Sequence, residues 1–266
     1  MKKKISITIN SETLDEIDSI VDYIFIRNRS QAMEHLIRNS LGKNKIAAIL
    51  AGGPEERMMI SDGLYSPAAK ISGISVAELA VRKLREDGFR KVFVVARERI
   101  LTRIFEILKN GSQHGVDMEY VEETQSLGTA NSLRLLKGRI GGNFLVVYGD
   151  IVFNNINIEE LWNDHMRNSA VATLMLTTSA TPSEKGTVRM EGSRILSFVQ
   201  KPRMSDHYLV FSPIFAADAD IFNLDGATLE GDVFPHLAEK GLLCGHISSE
   251  KERHVHSESD LRAKQK

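Results

Sequence analysis

From Lys4 to Ile9 polar and apolar residues alternate strictly, with Ile5, Ile7 and Ile9 on one face. This period of two, rich in β-branched residues, predicts a strand. Asn10 and Ser11 end it. Ser11 stands where a helix cap belongs, and Leu14, Ile17, Val21 and Ile24 recur at helical spacing, which predicts an amphipathic helix over 12–25. A second helix follows Ser30, with Ala32, Met33, Leu36, Ile37 and Leu41 as its apolar stripe and Gly42 as its terminator. At Lys45 the pattern changes. Residues 46–51 form a continuous apolar run that closes on Gly52-Gly53, the pattern of a buried parallel strand feeding a loop. Further strands at 92–96, 118–121, 144–148 and 172–176 alternate with helices at 76–87, 129–136 and 158–168. Residues 187–190 and 194–199 read as a hairpin around Glu191-Gly192. The alternation predicts an α/β fold with helices on both faces of a doubly wound, Rossmann-like mixed sheet. Two domains are expected, 1–44 and 45–266.

Composition narrows the class. The 266 residues are 42% hydrophobic and 26% charged, which excludes a disordered or collagenous chain. With 34 Lys+Arg against 35 Asp+Glu the chain is not a broadly basic nucleic-acid coat, so any affinity for DNA must be local. The single cysteine, Cys244, excludes an intramolecular disulfide, and a cytoplasmic address is the expectation. No apolar run is long enough for a membrane span, and no membrane partner is expected.

The first 44 residues are too few to bury a stable core, and their single strand has no partner within the segment. Both deficits predict a homodimer, or a higher homo-oligomer, joined through the strand. Over its whole length this segment resembles the ribbon-helix-helix DNA-binding proteins, the class of Arc, MetJ and CopG. The resemblance implies duplex DNA as a partner, with the outward residues of a two-stranded ribbon entering the major groove. Those residues are Lys4, Ser6 and Thr8, whose ammonium and hydroxyl groups suit base edges. It also implies a phosphate at the start of the second helix, on Ser30 and the amides of Gln31 and Ala32. A plain dimerisation arm with a solvated polar face is the other reading.

In the second segment Leu50-Ala51-Gly52-Gly53, Leu127-Gly128-Thr129-Ala130, 144–150 ending in Tyr148-Gly149-Asp150, and Phe198-Val199-Gln200-Lys201-Pro202 follow one another in a characteristic order. Together with Glu230-Gly231-Asp232-Val233-Phe234-Pro235 they resemble the sugar-1-phosphate nucleotidyltransferases, the sugar-nucleotide pyrophosphorylases, over nearly all of 45–266. The resemblance implies transfer of a nucleotidyl group from a nucleoside triphosphate to a sugar 1-phosphate, with Mg²⁺ held by two aspartates. It implies ligand contacts from Gly52, Gly53, Arg57, Gly128, Thr129, Asp150, Gly186 and Lys201, with Asp150 as the metal ligand. Some have a plainer alternative: Asp150 as a helix cap, Gly128-Thr129 as a simple turn, Lys201 as a solvated lysine.

This chain also departs from the pattern. The phosphate loop of the family, Gly-Gly-x-Gly-Thr-Arg, is here Gly52-Gly53-Pro54-Glu55-Glu56-Arg57. A carboxylate ~4 Å from a phosphate at an effective dielectric near 20 costs ~4 kcal/mol, unless the loop turns Glu55 and Glu56 away from the pocket. The lysine of the family's Pro-Lys pair is replaced by Ala68 after Pro67, with Lys70 out of register. Phe211-Ser212-Pro213 replaces Asn-Ala-Gly, and the second metal ligand falls at Arg253-His254-Val255-His256, most nearly at His254. Imidazole is a poor Mg²⁺ ligand. His254 and His256 form either a surface pair or, with His246, a Zn²⁺ site. The expectation is a DNA-binding regulator whose catalytically impaired transferase-like domain senses a sugar phosphate or nucleotide sugar. The alternative is an active transferase using Arg57, Asp150, Lys201 and Mg²⁺, dimerised by its first segment. A noncatalytic assembly protein is a third class.

Overall fold

The computed structural model describes residues 5–21, 26–40 and 45–262. The chain divides into two compact units, 1–44 and 45–266.

In the first unit α1 (Ser11–Ser19) and α2 (Arg29–Ser40) pack together. Asn10, not Ser11, caps α1: its side-chain oxygen accepts the Thr13 amide at 2.8 Å. The helix ends at Ser19 rather than running to 25, where residues 22–25 lie outside the described residues. Ser30 is not the first residue of the second helix either. Asn28 stands at that start, accepting the Gln31 amide on its side chain at 3.0 Å, while the Gln31 side chain accepts the Arg27 amide at 2.7 Å. One turn of capping therefore lies N-terminal to Ser30. Arg29 joins the helices by donating through two nitrogens to the Asp18 carboxylate, at 2.7 and 2.5 Å. The expected strand is not formed in the single chain. Residues 5–10 carry no regular structure, and Ile5 and Ile7 are 72% and 50% exposed, because a strand needs a partner ladder that this chain does not contain.

In the second unit nine strands make one mixed sheet: β1 (Ile46–Ala51), β2 (Lys91–Ala96), β3 (Asp117–Glu122), β4 (Phe144–Tyr148), β5 (Ala172–Thr178), β6 (Gly186–Glu191), β7 (Arg194–Gln200), β8 (Leu209–Ala217) and β9 (Leu243–Ile247). Their order is β5-β9-β7-β6-β8-β4-β1-β2-β3, with β5 also paired to β8. The β4-β1-β2-β3 half is parallel and β8 runs antiparallel to β4. Burial on both faces explains the unbroken apolar runs. Ala47, Ile49 and Ala51 enter one core with α4 (Val76–Glu86), α5 (Glu98–Leu108) and α7 (Ile158–Arg167). Ala48 and Leu50 enter the other with α6 (Thr129–Arg134) and α8 (Phe234–Lys240). The doubly wound reading of 45–266 holds, including the 187–199 hairpin. No helix among the described residues is long and apolar enough to cross a membrane.

Candidate functional site

The carboxyl ends of β1, β3, β4 and β7 converge on a cleft of about 660 Å³, the size of a small-ligand site and at the edge where such sheets bind ligands. Gly52, Gly53 and Arg57 reach it from the segment after β1, Gly128 and Thr129 from the start of α6, Tyr148 and Asp150 from the end of β4, and Gln200 and Lys201 from the end of β7. Of the eight ligand contacts the resemblance implied, Gly186 is absent from the lining. A Cβ on it would sit 2.3 Å from the Phe198 ring, so this glycine answers to packing within the hairpin. Lys70 is absent too.

The loop after β1 resolves the electrostatic objection. Glu55–Met58 form a single helical turn, α3, and Glu55 and Glu56 face a separate cavity of about 500 Å³ that they share with Arg97, Glu98 and Arg99. The Glu55 carboxylate lies 3.8 Å from the Arg99 guanidinium. Arg57, one residue beyond and exposed, borders the main cleft. Neither Glu55 nor Glu56 lines the main cleft, so the ~4 kcal/mol of a pair ~4 Å apart is weakened by the greater separation.

Three carboxylates to which the sequence pattern gave no role, Glu123 and Glu252 buried and Glu230 half-buried, brace the residues around the cleft. Glu123, 2% exposed, accepts the Gly53 amide at 2.6 Å and the Ser132 hydroxyl, fixing the glycine loop against α6. A Cβ at Gly52 would meet this carboxylate at 2.6 Å, which explains the glycine. Glu230 accepts from Thr129 Oγ1 at 2.8 Å and from the Tyr148 hydroxyl. Burial, then the charge and hydrogen bond of Glu230, push the Tyr148 phenol well above its ordinary range. Thr129 Oγ1 in turn accepts the Leu229 amide at 2.8 Å. The Gly128-Thr129 turn is thus both cleft wall and clamp. The third carboxylate, Glu252, accepts from Ser212 at 2.6 Å and Lys185 at 2.9 Å and lies 3.2 Å from His254 Nε2. Burial opposes its ionisation, but the hydrogen bonds from His254, Ser212 and Lys185, aided by the lysine charge, hold its carboxyl at about 2. A weak signal existed for Glu123, an acidic residue at a strand's carboxyl end; Glu230 sat inside a recognised motif without a role.

Lys201 holds φ at 45°, left-handed backbone unusual for a lysine, anchored by its amide donating to the Lys185 carbonyl at 3.0 Å. On the opposite wall Arg253–His254 pairs with Ile151–Val152, and His256 lines the cleft with its Nδ1 3.6 Å from Asp150 Oδ2. His246 is elsewhere: it hydrogen-bonds Asp164 at 2.7 Å, so the His246–His254–His256 trio is not formed. The residues around Asp150 do not fit Mg²⁺, because the second carboxylate of the resembling family is replaced by imidazoles and Mg²⁺ demands oxygen ligands.

A family model described as Nucleotidyl transferase matches residues 46–242. The chain belongs to the nucleotidyl transferase family. Relatives in this family include the bifunctional protein GlmU of Methanococcus aeolicus, 24% identical over 67% of this chain and 41% of that protein. They also include mannose-1-phosphate guanyltransferase of Yarrowia lipolytica, 26% identical over 72% and 55%, and a putative mannose-1-phosphate guanyltransferase of Sulfolobus acidocaldarius, 29% identical over 72% and 54%. The chain spans about half the length of these curated relatives. Among solved structures, a putative glucose-1-phosphate thymidylyltransferase from Bacillus anthracis superimposes with a TM-score of 0.73, covering 82% of this chain and 92% of that one at 16% identity, a likeness of fold. The family match begins at the second unit and leaves the first unit's ribbon-helix-helix resemblance without support from these comparisons.

Proposed function

We propose that the second unit is a sugar-1-phosphate nucleotidyltransferase. The observation that supports this reading is the lining of the cleft: Arg57 borders it with Asp150 and Lys201, whereas Glu55 and Glu56 do not. In this reading a phosphate oxygen of the sugar 1-phosphate attacks the α-phosphorus of a nucleoside triphosphate. The bond from that phosphorus to the bridging oxygen breaks, and pyrophosphate leaves with the electron pair. Arg57 meets the charge gathering on the leaving group, and Lys201, fixed by its strained backbone, meets the incoming sugar phosphate; both act by preorganised charge. The Gly128-Thr129 turn, rigidified by Glu230, forms the wall for the base. Names of the relatives, guanyltransferases of mannose 1-phosphate among them, favour this over the regulator reading. Pyrophosphate release by the full chain, with sugar 1-phosphates and each nucleoside triphosphate in turn, tests it. Arg57→Ala and Lys201→Ala are each expected to lower kcat/KM by ~10²–10³-fold; unchanged rates would overturn the assignment.

The first unit favours a second role beside this one. Ile5 and Ile7 are exposed apolar positions flanking the exposed hydroxyls of Ser6 and Thr8, which suits a strand that pairs with a second copy and turns its polar face to duplex DNA. Lys4 lies outside the described residues. A cleft occupied by a sugar phosphate or nucleotide sugar would then bias DNA affinity only by its differential affinity for two arrangements of the dimer.

A further inference from the structure

The antiparallel pairing of Arg253–His254 with Ile151–Val152 lets the Val255 amide donate to the Asp150 carbonyl at 2.8 Å, which brings two histidines to one aspartate. Asp150, His254 and His256 each offer one ligand atom, and the three atoms lie within 4.8 Å of one another. Two of these groups have a buried atom with no hydrogen-bond partner among the described residues: Asp150 Oδ1 and His254 Nδ1. The other nitrogen of His254, Nε2, lies 3.2 Å from Glu252 Oε1. An ionised carboxylate can only accept, so Nε2 carries the hydrogen and, in the neutral ring, Nδ1 is the nitrogen free to ligate. This carboxylate–imidazole pairing is the arrangement that orients metal-ligating histidines. Both its ends are fixed. Ser212 and Lys185 hold Glu252, and the Asp260 carboxylate accepts the amides of His256 and Ser257 at 3.0 and 2.9 Å, setting the turn that carries His256. The His254 and His256 rings stack at 5.3 Å between centroids.

We propose that Asp150, His254 and His256 form a binding site for a divalent cation of the zinc class, taking Zn²⁺ or Co²⁺ in preference to Mg²⁺. The donor set decides the class. Two imidazoles and one carboxylate suit Zn²⁺, Co²⁺ and their late first-row neighbours, whereas Mg²⁺ keeps to oxygen. Three protein ligands leave a fourth position of a tetrahedral ion open. Asp150 and His256 line the cleft that holds Arg57 and Lys201, so that position faces the space where a water or a phosphate oxygen would sit. The site rests on this geometry alone and stands whether or not the cleft transfers nucleotides.

The test is metal uptake by the full chain after stripping with a chelator, read by the visible absorption of Co²⁺ and by competition with Zn²⁺. One equivalent of Co²⁺ is expected to bind with a tetrahedral-type spectrum, to be displaced by Zn²⁺, and to be unmoved by millimolar Mg²⁺. Asp150→Asn and His256→Ala are expected to abolish that uptake, and Glu252→Gln to weaken it ~10–100-fold. His246→Ala, which alters the separate His246–Asp164 pair, is expected to leave it intact. His256→Asp preserves a ligand while replacing imidazole with oxygen, and is expected to shift the preference towards Mg²⁺ with the thermal melt of the metal-free protein retained. No stoichiometric uptake, uptake that survives both Asp150→Asn and His256→Ala, or displacement of Co²⁺ by Mg²⁺ would each overturn the proposal.

Discussion

His165 is 3% exposed, with Nδ1 3.0 Å from Thr173 Oγ1 and Nε2 3.1 Å from Asn143 Oδ1. Burial lowers its pKa from 6.5 to about 4, against a smaller opposing pull from Asp218. The unfolded chain therefore binds a proton near 6.5 that the folded chain takes up only near 4, and stability falls as pH drops through that window. A loss of about 2 kcal/mol between pH 7.5 and pH 5 is expected from this group. Urea unfolding at the two pH values should show it, and His165→Gln should remove that part of the dependence. Gly128 offers a second check. It sits at φ 107° and ψ 162°, a region open almost only to glycine, and a Cβ there would lie 2.4 Å from the Ala227 carbonyl oxygen. Gly128→Ala should cost ~2–3 kcal/mol in the same assay. At this scale Arg57, Asp150 and Lys201 were legible because each belongs to a short contiguous motif. Glu123 and Glu230 were not, since each acquires its role from a partner 70 or 101 residues away in the chain. His254 and His256, two apart in the chain, both come to Asp150, and only the pairing with Ile151–Val152 brings that stretch of chain beside it.

Among the elements, α3 does the most to separate the two readings of the second unit. Where the resembling family has a glycine-rich phosphate loop, this chain has a helical turn whose Arg57 borders the main cleft while Glu55 and Glu56 border the neighbouring cavity. Glu55→Ala with Glu56→Ala should accordingly change the KM for a nucleoside triphosphate by less than ~3-fold; carboxylates facing the phosphates would give a far larger fall. Steady-state kinetics at low and moderate salt make the comparison. Sequence periodicity located the strands and helices of the second unit well, because burial on both sheet faces leaves unbroken apolar runs in the parallel strands. It failed for 4–9. Alternation there announces a strand, but pairing must come from another chain, so the single chain leaves Ile5 and Ile7 uncovered. The caps at Asn10 and Asn28 escaped for a smaller reason: Ser11 and Ser30 are good capping types one and two residues further on, and type alone does not choose between neighbours.

For the molecule as a whole, the two units carry separable expectations. If the first unit pairs through its strand, Ile5→Asp with Ile7→Asp should convert a dimer to a monomer in sedimentation equilibrium without unfolding the second unit, while Ser6→Ala with Thr8→Ala should leave the dimer intact and weaken duplex DNA binding. Dimers that survive the aspartates, or DNA affinity indifferent to the alanines, would remove the corresponding role. The second unit carries the central claim, that a transferase-family cleft with a rebuilt phosphate loop still performs nucleotidyl transfer. Its most direct test is pyrophosphate release by the full chain, scanned over nucleoside triphosphates and sugar 1-phosphates with Mg²⁺, Mn²⁺, Co²⁺ or Zn²⁺. The account expects release that requires a sugar 1-phosphate and is lost in Arg57→Ala; no sugar-dependent release with any of these combinations would contradict it.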